Sequence, residues 1–207
     1  INGYSGASSL TLEEFDLLPT SPDWAGGLRE NWQPGEAGAQ HRLAEFLENS
    51  LGQYRKGRDF PAQPLTSHLS PHLHWGEISV RQIWHAATAL AFSYPEDTAH
   101  FLRELGWREF SHHLLYHFPE LPTRPLNRRF ENFPWREDAA ALKRWQTGQT
   151  GVPIVDAGMR ELWHTGWMHN RVRMIVGSYL VKDLLIHWKK GEAWFWDTLL
   201  DADLANN

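Results

Sequence analysis

Between residues 166 and 188 the chain reads GWMHNRVRMIVGSYLVKDLLIHW, a polar turn running into apolar positions that recur at helical spacing. At about 100° per residue, Asn170, Arg173, Met174, Gly177, Val181, Leu184 and Trp188 share one stripe. Val172, Ile175, Val176, Tyr179 and Ile186 fill the other side, so the pattern predicts one long helix, apolar nearly all round and therefore core. An arginine at the head of such a helix needs a counter-charge, because a buried guanidinium without one is costly. The downstream carboxylates of Asp201 and Asp203 are the candidates, and a structural salt bridge is the plainest use of the pair.

The same spacing predicts further helices. Leu43, Phe46, Leu47, Leu51 and Tyr54 define one from residue 36, which ends in the polar loop RKGRDFPAQPL. Val80, Ile83, Trp84, Ala87, Leu90 and Ala91 define another over 79–92, with Ser79 as its cap. Others follow over 98–118, 138–145 and 191–200, and Pro153 sits where a first helical residue belongs. No strand alternation and no internal repeat is found, so the fold class is all-α. Residues 1–35, rich in Pro, Gly and Ser, read as a linker or arm laid on a surface.

Composition narrows the picture. Zero cysteines exclude disulfides and thiolate metal sites, and net charge −5 means that a nucleic-acid partner must be met by a local basic patch. Arg124, Arg128 and Arg129, among prolines and aromatics, form the best such patch in the sequence. No apolar run or charged leader marks a membrane span or signal, so a soluble intracellular, cytoplasmic protein is expected. The chain starts at Ile1 and stops at DADLANN, as expected of a piece cut from a longer one. Twelve tryptophans fit core filling, stacking surfaces or electron carriers.

Three clusters carry candidate chemistry. Thr66, Ser67, His68, Leu69 and Ser70, followed by Pro71, bunch hydroxyls and amides where a helix starts, which suits either plain capping or phosphate oxygens. Glu104, Trp107 and Arg108, at i, i+3 and i+4, present a carboxylate, an indole and a guanidinium on one face, as a planar ligand or a surface ion pair beside a core tryptophan requires. His113 and His117 form an i, i+4 pair but have no third ligand nearby in sequence, so a solvated face is expected there and no metal.

These segments also carry a resemblance. TGVPIVDAGMREL, TGWMHNRVRM, LVKDLLIHW and LLDADLANN, preceded by TSHLS and ELGWREF, resemble the flavin-binding helical domain of the DNA photolyase and cryptochrome family, in register over residues 54–207. The implied domain is 36–207, with 1–35 compatible with an interdomain segment. The family's amino-terminal α/β antenna domain, whose pigment is unknown here, and the tryptophan-rich stretch after LANN have no counterpart in these residues. There are two departures from the family pattern: Gly177-Ser178-Tyr179 replaces a small pair and Phe, and Phe101 stands where tryptophan is frequent.

By this resemblance FAD is the cofactor, held by Tyr54, Thr66, Ser67, His68, Leu69, Ser70, Phe101, Arg108, Asn170, Arg173, Asp201, Ala202 and Asp203. Both aspartates are expected to meet the flavin ring and pair with Arg173, and Asn207 to lie opposite flavin N5. The implied reaction is light-driven repair of cyclobutane pyrimidine dimers in damaged DNA by electron transfer from reduced FAD, by a monomer with the dimer flipped into the pocket. Glu104, Trp107, Asn170, Arg171 and Met174 are the implied DNA-contacting residues, and Trp135 and Trp188 the outer and middle electron carriers. Trp107 and Met174 favour repair over a blue-light receptor of the cryptochrome type, and Asn170, where relatives repairing the (6-4) photoproduct carry histidine, disfavours that lesion. A helical interaction module without cofactor is the remaining reading.

Overall fold

The computed structural model describes residues 10–11, 13–17 and 21–206, and among them it is helical without strands. Ten α-helices follow in order: α1 (Gly26–Asn31), α2 (Glu36–Asn49), α3 (Tyr54–Gly57), α4 (Ser70–His74), α5 (Val80–Thr88), α6 (Pro95–His117), α7 (Ala139–Gln146), α8 (Pro153–Thr165), α9 (Asn170–Ser178) and α10 (Trp188–Thr198). No helix of the described residues is long and apolar enough to cross a membrane. The segment expected to be an arm carries α1, which packs on α8, and Trp32 just after it donates from Nε1 to the Thr165 carbonyl.

Several helix starts follow the expected chemistry. Ser79 closes a capping box with Gln82, the side chain of each meeting the other's backbone amide. Asp138 caps α7 by accepting from Ala141 N, and Pro153 opens α8. The helix expected from residue 36 through Tyr54 is interrupted: α2 stops at Asn49, a 3-10 turn takes Leu51–Gln53, and α3 starts again at Tyr54.

The largest correction concerns the expected long helix. α9 ends at Ser178, a π-helical turn covers Tyr179–Asp183, and the chain then leaves the helix before α10 begins at Trp188. The physical cause is tertiary. Leu184 N bonds to Tyr179 O in the wide π pattern, Leu185 takes a left-handed φ of 55°, and its carbonyl accepts from Arg136 N at 2.8 Å. Ile186 is thereby sunk fully into the core. Trp188 is therefore not the end of the Asn170 stripe but the first residue of another helix. Nor is α9 apolar all round, since Met174 and Ile175 are both exposed.

Two apolar cores hold the elements. One gathers Trp145, Val155, Met159, Leu162, Met168, Val172, Val176, Leu180 and Ile186 from α7, α8, α9, the π turn and the loops that follow α8 and the π turn. The other gathers Leu43, Phe46, Leu51, Tyr54, Leu69, Ile83, Phe101 and Leu105 from α2 to α6. α8 and α9 approach closely at Gly158, where an added Cβ would stand 2.3 Å from Val172 Cγ1. The turn between them uses Gly166 at φ 69°, a conformation glycine adopts without penalty. Gly166 O then accepts from Leu200 N at 2.8 Å, which pins the segment carrying Asp201 under the start of α9.

Candidate functional site

A cavity of about 760 Å³ opens between the two cores, within the size range of pockets that enclose sizeable ligands. Tyr54, Leu69, Phe101 and Leu105 reach it from one core and Met168 from the other. The hydroxyl loop enters through Thr66, Ser67, His68 and Leu69, with Ser70 as the first residue of α4. α6 contributes Glu104, Trp107 and Arg108, and the head of α9 contributes Asn170, Arg171, Arg173 and Met174. Residues more than a hundred positions apart in sequence thus face one space.

The charged groups are mostly paired. Arg173 donates from Nε to Met168 O and from Nη2 to Asp201 Oδ2, both at 2.8 Å, and the two side chains are 17% and 4% exposed. Asp203 does not join this pair as expected. Its Oδ1 instead accepts from Ala205 N, Asn206 N and Asn206 Nδ2, each at 2.9 Å, and Oδ2 lies 3.5 Å from His112 Nε2. Burial pushes the Asp203 carboxyl up, but these hydrogen bonds and His112 outweigh it and hold the group below the usual carboxylate range.

Glu104 is gripped by Arg58, an ion pair bridging α6 and the end of α3 that sequence spacing gave no means of finding. Arg171 reaches Asp59 through Nε at 2.9 Å and Nη2 at 2.7 Å on the exposed side. Burial pushes the Tyr54 phenol up to about 12, so it stays a hydrogen-bond donor. His68, at a left-handed φ of 52°, stacks on Trp167 at 3.9 Å, and burial pushes its imidazole down to about 4 with help from Arg42 and His169.

Other expected positions lie elsewhere. Ala202 is absent from the cavity wall and packs in the first core, and Asn207 falls outside the described residues. Trp135 and Trp188 are away from the wall, yet His187 joins them, 5.2 Å from the first ring and 5.6 Å from the second. The expected basic patch is largely neutralised, because Arg128 pairs with Glu120 at 2.7 Å and Glu131 at 2.8 Å, and Arg124 also lies against both acids. His113 and His117 meet edge-on at 4.3 Å, and among the described residues no cluster of three or more His, Cys, Asp or Glu suits a metal.

Hydroxyls, guanidiniums, carboxylates and indole and phenyl rings lining one roomy cavity make this a helical domain suited to a large ligand with both anionic and planar parts. The family described as the FAD binding domain of DNA photolyase matches residues 101–207. The deoxyribodipyrimidine photo-lyase of Agrobacterium fabrum is 54% identical over 197 residues, covering 95% of this chain and 41% of that protein. Cryptochrome-2 of Arabidopsis thaliana is 45% identical over 185 residues, covering 86% and 30%. The crystal structure of a bacterial class III photolyase from Agrobacterium tumefaciens superposes with a TM-score of 0.91 at 54% identity, covering 96% of this chain and 42% of that one. The chain belongs to the DNA photolyase and cryptochrome family, and FAD is the cofactor of this domain. It spans well under half the length of these relatives.

Proposed function

We propose that the protein containing this domain repairs cyclobutane pyrimidine dimers in DNA, using light absorbed by FAD. The observation that carries this reading is the placement of Trp107 and Met174, 57% and 58% exposed, on the wall of the cavity that also holds the hydroxyl loop. A cofactor-only pocket has no use for two large apolar side chains open to solvent, whereas a base turned out of a duplex needs a surface on which to stack. In the proposed division, residues 36–207 form the cofactor domain and 1–35 the preceding arm.

The cavity fits FAD on its own observations. Thr66 Oγ1 is buried without a hydrogen-bond partner, as a hydroxyl poised for a phosphate oxygen would be. Thr66, Ser67 and Ser70 would hold the diphosphate, and Arg173 and Asp201 the planar end. When bound, FAD supplies the photochemical electron donor. Tyr54, Phe101 and Leu105 exclude water from one side, Trp107 stacks the extruded base, and Arg171 reaches the phosphate backbone from its exposed position beside Asp59.

Stacking is worth roughly 1–3 kcal/mol per base, so Trp107→Ala should weaken binding of dimer-containing DNA by about tenfold or more while FAD stays bound. Undamaged DNA should bind almost as before. Arg171→Ala should lower affinity for both DNAs and flatten the salt dependence by about one unit. Titration of both variants against damaged and undamaged duplexes at several salt concentrations checks this, and equal weakening by Trp107→Ala would point to general folding damage.

Trp135 and Trp188 are proposed as electron carriers toward the cavity, joined through His187. Trp188→Phe keeps an aromatic of similar shape, so light-driven reduction of bound oxidised FAD should slow while repair by chemically reduced protein stays nearly intact. A parallel fall in both would make Trp188 a packing residue. The likeness to cryptochrome-2 supports a second reading, a blue-light receptor on the same fold, which requires FAD but no stacked lesion.

A further inference from the structure

One buried donor on the cavity wall has no role in the assignments above. His169 is 3% exposed, lines the cavity and is the N-cap of α9. Its Nδ1 accepts from Arg171 N at 3.2 Å, so in the neutral imidazole the ring proton sits on Nε2. Burial lowers the affinity of the ring for a second proton, and the cations of Arg171, Arg58 and Arg173 reinforce this against the opposing charge of Asp59. Nε2 is itself buried and has no hydrogen-bond partner in the protein. A buried N–H left in that state is expensive, and in a ligand cavity the economical explanation is an acceptor that arrives with the ligand.

We propose that His169 is a cofactor-binding residue whose Nε2–H donates a hydrogen bond to an acceptor atom of FAD while Nδ1 caps α9. The inference rests on the FAD reading of the cavity. A single imidazole then fixes both the start of the helix that delivers Asn170, Arg171 and Arg173 and one edge of the ligand those residues surround. Because the donor is uncharged, its contribution differs in kind from that of the neighbouring guanidiniums: it adds affinity without adding salt dependence.

The two ring nitrogens can be separated by substitution. In His169→Asn the side-chain oxygen stands near the position of Nδ1 and keeps the cap, but nothing reaches where Nε2 was. In His169→Gln the amide nitrogen reaches that far and the cap is lost. Full-length protein stripped of flavin is titrated with FAD at two salt concentrations, and thermal unfolding of the same apoprotein is recorded. His169→Asn should unfold near the parent temperature yet bind FAD about tenfold more weakly at both salts, the loss expected for one hydrogen bond. His169→Gln should unfold earlier but stay within about threefold of the parent affinity, its donor being retained. FAD affinity of His169→Asn within about twofold of the parent, less than one hydrogen bond is worth, would overturn the proposal. So would losses of affinity in both variants that track their unfolding temperatures. A parent that takes up no FAD overturns the cofactor reading itself, and the inference with it.

Discussion

Arg173→Leu should empty the cofactor site. The guanidinium lies at the head of α9, where its Nη2 meets Asp201 Oδ2 at 2.8 Å with the carboxylate only 4% exposed. Leucine fits a helix as well as arginine does, so α9 itself should persist. What changes is charge. Removing one partner of a buried ion pair leaves the other uncompensated, at a cost of about 3–5 kcal/mol, and the cavity loses a fork-shaped donor as well. FAD affinity should fall by about a hundredfold or more, the equivalent of about 3 kcal/mol.

A double variant separates fold from binding. In Arg173→Leu/Asp201→Asn no charge is stranded, so stability should return toward that of the parent, as it does when both members of a buried pair are replaced. FAD binding should stay lost. Urea unfolding and FAD titration of the parent, the single variant and the double variant check both statements. Recovery of FAD affinity in the double variant would mean that Arg173 serves the fold alone.

Trp145→Ala should be the most destabilising single core change, at about 3–5 kcal/mol. The indole of Trp145 is fully buried in the core that supports α8 and α9, and stacks on Phe195 at 5.8 Å. Its Nε1 also donates to Val176 O at 3.1 Å, just before the helix widens into the π turn. Truncation therefore leaves a large void and removes one of the donors to Val176 O, leaving Tyr179 N at the place where regular helical bonding stops. For a domain of this size the unfolding temperature should drop by about 10 °C. Trp145→Phe, which fills most of the void but loses the hydrogen bond, should cost about 1–2 kcal/mol. A loss below about 1 kcal/mol for the alanine variant would show that this core does not hold the site together.

What the sequence discloses of this molecule is mostly local. The Ser79–Gln82 capping box, the Asp138 cap and Pro153 at a helix start are short-range devices, and the structure contains each of them. The gathering of TSHLS, the Glu104–Trp107–Arg108 face and the head of α9 around one space was legible through resemblance rather than periodicity, because the three segments are far apart in the chain. Apart from the Arg173–Asp201 pair, tertiary partners were not legible. The break after Asp183 has no proline or glycine to announce it, since the left-handed residue is Leu185 and the cap of α10 is His187, a residue rarely used there. His169 hides its cap of α9 in the same way. The basic look of the Arg124–Arg129 loop gave no sign that Glu120 and Glu131 fold against it.

The repair reading is tested most directly by exposing ultraviolet-irradiated DNA to the full-length protein with its FAD reduced, and counting cyclobutane dimers after illumination and after an equal time in the dark. Dimers should disappear in the light and persist in the dark, and Trp107→Ala, which still binds FAD, should slow the loss at limiting DNA concentration. If the protein binds reduced FAD and the dimer count is the same in light and dark, the account of a lesion-repairing cavity is contradicted.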